Sequence, residues 1–224
     1  MKKYVLILAG GRGSRMKSET PKQFIKINEK TVLEHTIEKF QSALPEAKII
    51  LVLPHDQLKR WEKISRGTPL QNLITTIGGS SRFQSVRNGL QFVPDDVLLA
   101  IHDGVRPLVS PQTIENVFHA AAKFGACIPL VPLKESLRKN TKENFKAVDR
   151  SEYRLVQTPQ CFQSKLIKEA YSQQNDRAFF TDDASVYEAK GGKLSFVDGN
   201  EENIKLTHAF ELKIIAHFLK SQAE

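Results

Sequence analysis

Short runs of apolar residues rich in valine, isoleucine and leucine alternate along the chain with stretches whose apolar positions recur every three or four residues. That alternation predicts parallel strands joined by helical crossovers, an α/β fold with a Rossmann-like, doubly wound, mostly parallel sheet. The predicted strands are residues 4–9, 49–53, 73–77, 97–101 and 127–131. Each is nearly all apolar, as in a sheet covered on both faces.

Helix boundaries are legible where capping chemistry marks them. Thr31-Val32-Leu33-Glu34 has the spacing of a capping box and opens a helix that buries Val32, Leu33, Ile37 and Phe40. Ser110-Pro111 reads as N-cap and first helical residue of a helix running to about Phe124. Further helices are predicted after Ser85, carrying Val86, Leu90 and Val93, from about Ser164, and over residues 208–219.

Between residues 132 and 157 the rhythm breaks: Lys134, Glu135, Arg138, Lys139, Lys142 and Glu143 surround Asn140 and Asn144 with few apolar anchors. The stretch reads as an arm or hairpin leaving the core, with a disordered loop as the alternative. The 224 residues otherwise fit a single domain able to bury its own core.

Composition narrows the classes. Hydrophobic residues at 40% and charged residues at 26% are globular proportions. No apolar run approaches the roughly 20 residues needed to cross a bilayer. Met1-Lys2-Lys3 and the apolar run behind it resemble a signal peptide, but the run is short and enters glycines and arginines, so it reads as a buried first strand. A cytoplasmic protein with no membrane partner is expected, with Cys127 and Cys161 as free structural thiols.

The net charge of +8, from 33 basic against 25 acidic residues, favours anionic partners. No Lys/Arg block, base-stacking pattern or DNA-binding spacing is present, so small phosphorylated substrates fit better than nucleic acid.

The richest motif, Leu8-Ala9-Gly10-Gly11-Arg12-Gly13-Ser14-Arg15-Met16, follows the first strand and is followed by Pro21-Lys22-Gln23. Glycines at a strand end let backbone N–H groups approach phosphate oxygens, while Arg15 and Lys22 bring mobile positive charge. A P-loop would require Lys followed by Ser or Thr after the last glycine, and a dinucleotide fingerprint a small residue at Met16. Neither fits.

A second cluster, Gly78-Gly79-Ser80-Ser81-Arg82-Phe83-Gln84-Ser85-Val86, offers backbone groups and hydroxyls to a base or ribose at another strand end. A third, His102-Asp103-Gly104-Val105-Arg106-Pro107, sets an aspartate able to hold Mg²⁺ beside an arginine able to grip phosphate. An Asp103–Arg106 ion pair is the compatible plain alternative. His102 is a candidate base, with a packed neutral histidine as the other reading. Asp149-Arg150, Thr158-Pro159-Gln160, Thr181-Asp182-Asp183-Ala184-Ser185 and Asn203-Ile204-Lys205 complete the set, with Thr181 also readable as an N-cap.

Taken together and in this order, these motifs resemble the 2-C-methyl-D-erythritol 4-phosphate cytidylyltransferase family over essentially the whole chain. The resemblance implies a nucleotidyltransferase that converts CTP and a sugar-alcohol phosphate into a CDP-alcohol and pyrophosphate, aided by Mg²⁺. It implies that Ala9, Gly10, Gly11, Gly13, Gly79, Ser80 and Ser85 hold CTP and that Arg15 and Lys22 stabilise the reacting phosphates. Arg150 and Lys205 would position the incoming phosphate, with Asp103, Arg106, Ser136, Thr158 and Thr181 around its pocket. The arm would pair across a homodimer and place Arg150 in the neighbouring site. The chain departs from the family pattern at Gly10, Ser80 and the Glu135-Ser136 pair. The cousin enzyme acting on ribitol 5-phosphate shares most of these motifs. Rivals of other kinds are a non-catalytic nucleic-acid-binding protein and a Rossmann oxidoreductase.

Overall fold

The computed structural model describes residues 1–11, 20–142, 144–177 and 180–221. The chain runs through β1 (Lys3–Leu8), the hairpin β2 (Lys26–Ile27) and β3 (Lys30–Thr31), α1 (Val32–Ala43), β4 (Lys48–Leu53), α2 (Leu58–Ser65), β5 (Ile74–Ile77), α3 (Arg82–Leu90), β6 (Leu98–Asp103) and α4 (Pro111–Phe124). It continues with β7 (Ala126–Pro132), β8 (Leu137–Asn140), β9 (Phe145–Val148), β10 (Arg154–Val156), β11 (Gln160–Gln163), α5 (Ser164–Gln173), α6 (Asp183–Ala189), β12 (Ser195–Asp198) and α7 (Ala209–Ser221).

β6, β1, β4 and β5 pair in parallel, in that order. β1 is therefore central, and the connections leave it toward β5 and then return to its other side at β6. That reversal opens a crevice above the carboxyl ends of β1 and β6. Beyond β6 the sheet becomes mixed. β11 runs antiparallel between β6 and β7, β10 lies beside the outer half of β7, and β12 pairs with β7 in parallel on its far side.

Alternate residues of the central strands feed the two faces. Val5 and Ile7 of β1, with Leu51 of β4, pack against Leu33, Ile37 and Phe40 of α1 and Val117 of α4. Leu6, Ile50 and Leu99 point the other way, against Val86 of α3, Ile167 of α5 and Tyr187 of α6. Each such aliphatic side chain removed from water contributes about 1.5–3 kcal/mol, so β1, β4 and β6 anchor the fold.

Both predicted caps are present. Thr31 Oγ1 accepts from Glu34 N–H at 3.2 Å while Glu34 Oε2 accepts from Thr31 N–H at 2.7 Å. Ser110 Oγ accepts from Thr113 N–H at 3.0 Å, and Gly125, at φ 92°, ends α4.

Three expectations need correction. β5 is not covered on both faces: it is the sheet's edge, with Ile74 and Ile77 exposed. Asp182, not Thr181, caps α6, its Oδ1 accepting from Ser185 N–H at 3.0 Å. The sheet also gains β10, β11 and β12, which no apolar run announced. The β2–β3 hairpin turns through Asn28 and Glu29 at φ 49° and 68°, the left-handed pair of a type I′ turn without its usual glycine.

β8 and β9 form an antiparallel ladder of their own, pairing with no other strand among the described residues. Cys127 and Cys161 are free and buried, facing each other across β7 and β11. No helix is long and apolar enough to cross a membrane among the described residues.

Candidate functional site

A cavity of about 1070 Å³ opens over the carboxyl ends of β1, β4, β5 and β6. Its walls bring together the first two glycine clusters and the aspartate motif: Ala9, Gly10 and Gly11 after β1, residues 78–82 and Ser85 after β5, and Asp103 at the end of β6. Lys22 and Lys205 join them from segments 183 residues apart in sequence. A second cavity, of about 710 Å³, lies at the exposed edge of β5 and is lined by Trp61, Gln71, Ile77 and Phe92 among others. Its lining holds a single charged side chain, Glu62, whereas the first cavity gathers Lys22, Lys205 and Arg82.

Local packing explains the glycines at two positions. A Cβ on Gly104 would stand 3.1 Å from Ala9 Cβ and Leu33 Cδ1, so glycine lets the end of β6 close against β1 without displacing these neighbours. A Cβ on Gly79 would stand 2.3 Å from Gln84 Cβ, which fixes the path of the loop into α3. Gly79 N–H donates to Ser85 Oγ at 3.1 Å and Ser80 N–H to Gln84 Oε1 at 3.2 Å. The loop is thus braced by the helix that follows it.

The cations are organised around Asp103. Its Oδ2 accepts from Arg106 Nε at 3.1 Å and meets Lys205 Nζ at 3.0 Å. Burial pushes this carboxyl up, but Lys205, Arg106 and Arg82 together outweigh it and hold Asp103 well below the usual carboxylate range. Lys22 is 9% exposed and its Nζ donates to the Leu206 carbonyl at 2.8 Å, tying the Lys205 segment to the glycine turn.

Thr158 and His102 lie behind Asp103. The Arg106 carbonyl, 3.2 Å from His102 Nε2, can only accept, so Nε2 carries the proton and Nδ1 accepts from the Thr158 hydroxyl at 2.9 Å. Thr158 Oγ1 in turn accepts from Asp103 N–H at 3.1 Å. Burial lowers His102 to about pKa 3. The candidate base is therefore a neutral, packed histidine whose role is to orient Thr158 and Asp103.

This has a measurable consequence. An unfolded histidine titrates near 6.5, whereas the folded one refuses the proton until about 3, so stability falls as pH drops below about 6.5. One such site costs about 1.4 kcal/mol for each pH unit below that point. Asp103 adds nothing in this window, because its contribution is complete above its unfolded value near 4 and is lost only at lower pH. Chemical denaturation of wild type and His102→Gln at pH 6.5 and 4.5 should show a clearly shallower pH dependence in the variant. Equal slopes would overturn the neutral-histidine assignment.

Of the other expected site residues, Arg106 reaches Asp103 and the Asn203 carbonyl, at 2.8 Å for the latter. Ser136, Arg150 and Thr181 are exposed and line none of this cavity in their own chain. Arg150 Nη1 donates to the Lys134 carbonyl. Gly13 and Arg15 lie outside the described residues. The expected Asp103–metal contact meets an Oδ2 already shared by two cations. Among the described residues no group of three His, Cys, Asp or Glu side chains forms a metal site.

Sequence reasoning missed the wall after β4, where Pro54, His55 and Asp56 line the cavity. Their position at the carboxyl end of a predicted parallel strand was the available signal. It also gave no role to Arg82 within the second glycine motif, although its guanidinium grips Asp183 through two bonds of 2.9 and 2.6 Å.

Comparison with known proteins places the chain in a family. Residues 4–221 match the family described as IspD, 2-C-methyl-D-erythritol 4-phosphate cytidylyltransferase. Curated relatives of that name include one from Bacteroides thetaiotaomicron, 45% identical over 216 residues, covering 96% of this chain and 98% of the relative. One from Porphyromonas gingivalis is 46% identical over 222 residues, covering 98% and 99%. Among solved structures, 4-diphosphocytidyl-2C-methyl-D-erythritol synthase from Anaerococcus prevotii superposes with a TM-score of 0.83 at 26% identity, covering 98% of this chain and 96% of that one. The 2-C-methyl-D-erythritol 4-phosphate cytidylyltransferase of Thermus thermophilus gives 0.78 at 30% identity, covering 99% and 100%. With near full-length matches and the motifs gathered around one cavity, the chain belongs to the 2-C-methyl-D-erythritol 4-phosphate cytidylyltransferase family.

Proposed function

We propose that this protein transfers the cytidylyl group of CTP to 2-C-methyl-D-erythritol 4-phosphate, forming 4-diphosphocytidyl-2-C-methyl-D-erythritol and pyrophosphate. The observation that carries this reading is the convergence of two glycine turns with Lys22, Lys205 and Asp103 on one cavity at the reversal point of the sheet.

A phosphate oxygen of the sugar phosphate attacks the α-phosphorus, and the bond from that phosphorus to the bridging oxygen of the departing pyrophosphate breaks. The nucleophile is already an anion, so no base is required, which agrees with a neutral His102. Catalysis then reduces to alignment and charge neutralisation. Ala9, Gly10, Gly11 and Gly13 would cradle the triphosphate, Gly79, Ser80 and Ser85 the nucleoside, and Lys22 with Arg15 the charge that builds on the phosphates. Lys205 would hold the incoming phosphate beside Asp103, with Arg106 and Thr158 fixing that aspartate from behind.

Ser136, Arg150 and Thr181 would join the acceptor site from outside the cavity wall, Arg150 from the arm of a second copy. Exposed Phe145, Leu155 and Val156, on or just after the 132–157 arm's strands, support a homodimer contact there. Among the described residues no side-chain cluster would hold a metal, and a Mg²⁺ in the reaction would be carried by the nucleotide's phosphates. The first strand's place at the centre of the sheet supports a single domain, and the cytoplasm is the compartment proposed for it.

The test is pyrophosphate release from CTP, UTP, ATP and GTP, each with 2-C-methyl-D-erythritol 4-phosphate and with ribitol 5-phosphate. CTP with the methylerythritol phosphate should be turned over at least roughly tenfold faster than the purine nucleotides, if the backbone of the second glycine turn recognises a one-ring base as this reading requires. Equal ATP turnover would sink the nucleotide assignment. Preference for ribitol 5-phosphate would transfer the protein to the cousin activity.

A further inference from the structure

Two motifs line none of the cavity, and one residue of the first, Gln160 of Thr158-Pro159-Gln160, meets Asp182 and Asp183 of the second, Thr181-Asp182-Asp183. Asp183 is fully buried, and its carboxylate takes both Arg82 bonds and a third, of 2.7 Å, from the Tyr171 hydroxyl. Gln160, also fully buried, holds Asp183 in place: its Oε1 accepts from the N–H groups of Asp183 and Ala184 at 3.0 and 2.8 Å, and its Nε2 donates to Asp182 Oδ2 at 2.9 Å.

Arg82 is the first residue of α3, directly after the glycine loop. The N–H groups of Gly79 and Ser80 in that loop are held by Ser85 and Gln84, both on the first turns of that helix. Wherever the start of α3 sits, residues 78–81 must follow. A bidentate guanidinium–carboxylate pair fixes distance and orientation together, and a carboxylate buried this deeply tolerates no looser arrangement.

We propose that Asp183, with Gln160 and Tyr171, is a positioning residue for nucleotide binding: through Arg82 it sets the place of loop 78–81 and so the affinity for CTP, without touching the ligand. This rests on the reading of the cavity as a CTP site. With its guanidinium bound to Asp183, Arg82 contributes geometry here, while Lys22 and Lys205 carry the charge toward phosphate.

The experiment is steady-state kinetics on Asp183→Asn, with CTP affinity measured separately by calorimetry. The Michaelis constant and the dissociation constant for CTP should both rise at least tenfold. The rate at saturating CTP and the Michaelis constant for the sugar phosphate should stay within about threefold, a split that general loss of structure would not give. Arg82→Met combined with Asp183→Leu leaves no buried charge unpaired and carries the same test if Asp183→Asn does not fold. Its CTP affinity should remain at least tenfold weak.

Wild-type CTP affinity in either folded variant overturns the proposal, as does a loss confined to the saturated rate. Arg82→Lys should recover part of the affinity lost in the Arg82→Met, Asp183→Leu protein, since it keeps one charged contact to Asp183. No recovery counts against the pair as the device. Absence of CTP turnover in the wild type would instead condemn the functional reading, so the two failures are distinguishable.

Discussion

Lys22→Ala is expected to lower pyrophosphate release from CTP by roughly tenfold to a thousandfold, the usual cost of removing a preorganised charge from a transition state that builds negative charge. The side chain is nearly buried, and its stem runs close to Gly11, where an added Cβ would lie 3.9 Å from Lys22 Cε. Its ammonium is held at the mouth of the glycine turn by the Leu206 carbonyl. Such a group needs no reorganisation when the triphosphate arrives, which is why its loss should fall on the rate. Lys22→Met keeps the stem and its packing while deleting the charge, and it should be about as slow as the alanine variant. Thermal unfolding and circular dichroism establish that both remain folded. Near-normal turnover by folded Lys22→Met would show that the cradle is wrongly assigned.

Arg150→Ala and Lys22→Ala proteins, each nearly inactive alone, should regain activity when refolded together. Arg150 opens a short turn after β9, is exposed, and lies outside the cavity of its own chain. If the arm crosses a two-fold axis, each site combines Lys22 from one chain with Arg150 from the other. A mixed dimer then has one site with both lesions and one with neither. With random pairing about half the dimers are mixed, so roughly a quarter of all sites are intact, as the isologous geometry dictates. Recovery to about a quarter of wild-type activity is the expected reading. If Arg150 served its own chain, every site in a mixed dimer would carry one lesion and the mixture would stay inactive. A monomer at working concentration, or no recovery after verified subunit exchange, refutes the shared site and leaves the nucleotidyltransfer reading intact.

Much of this was readable along the chain. The central strands and the caps of α1 and α4 are local features: buried strands must be apolar on both faces, and orphan N–H groups at a helix start need a side-chain acceptor within three residues. The glycine turns were readable because glycines clustered at the end of an apolar run mark where the backbone turns and passes close to its neighbours, as at Gly79, whose added Cβ would stand 2.3 Å from Gln84 Cβ. What escaped were elements whose stability comes from partners distant in sequence. β11 carries Gln160 in a fully buried position, which no hydropathy pattern would select, because its amide is satisfied by Asp182, Asp183 and Ala184 some 22 to 24 residues away.

The sequence alone therefore determined the strand and helix rhythm, the place of the two glycine turns at strand ends and the family, since each rests on residues adjacent in the chain or on motifs in a fixed order. The tertiary structure decided which of those motifs line one cavity. It put Lys22 and Lys205 into one cavity, turned His102 into a buried neutral strut, and sent Gln160 and Asp183 behind the wall, where Asp183 meets Arg82 across 101 residues. The reason is physical: a buried carboxylate or amide is tolerable only where its partners converge, and that convergence is a property of the folded sheet and its helices, not of any one segment.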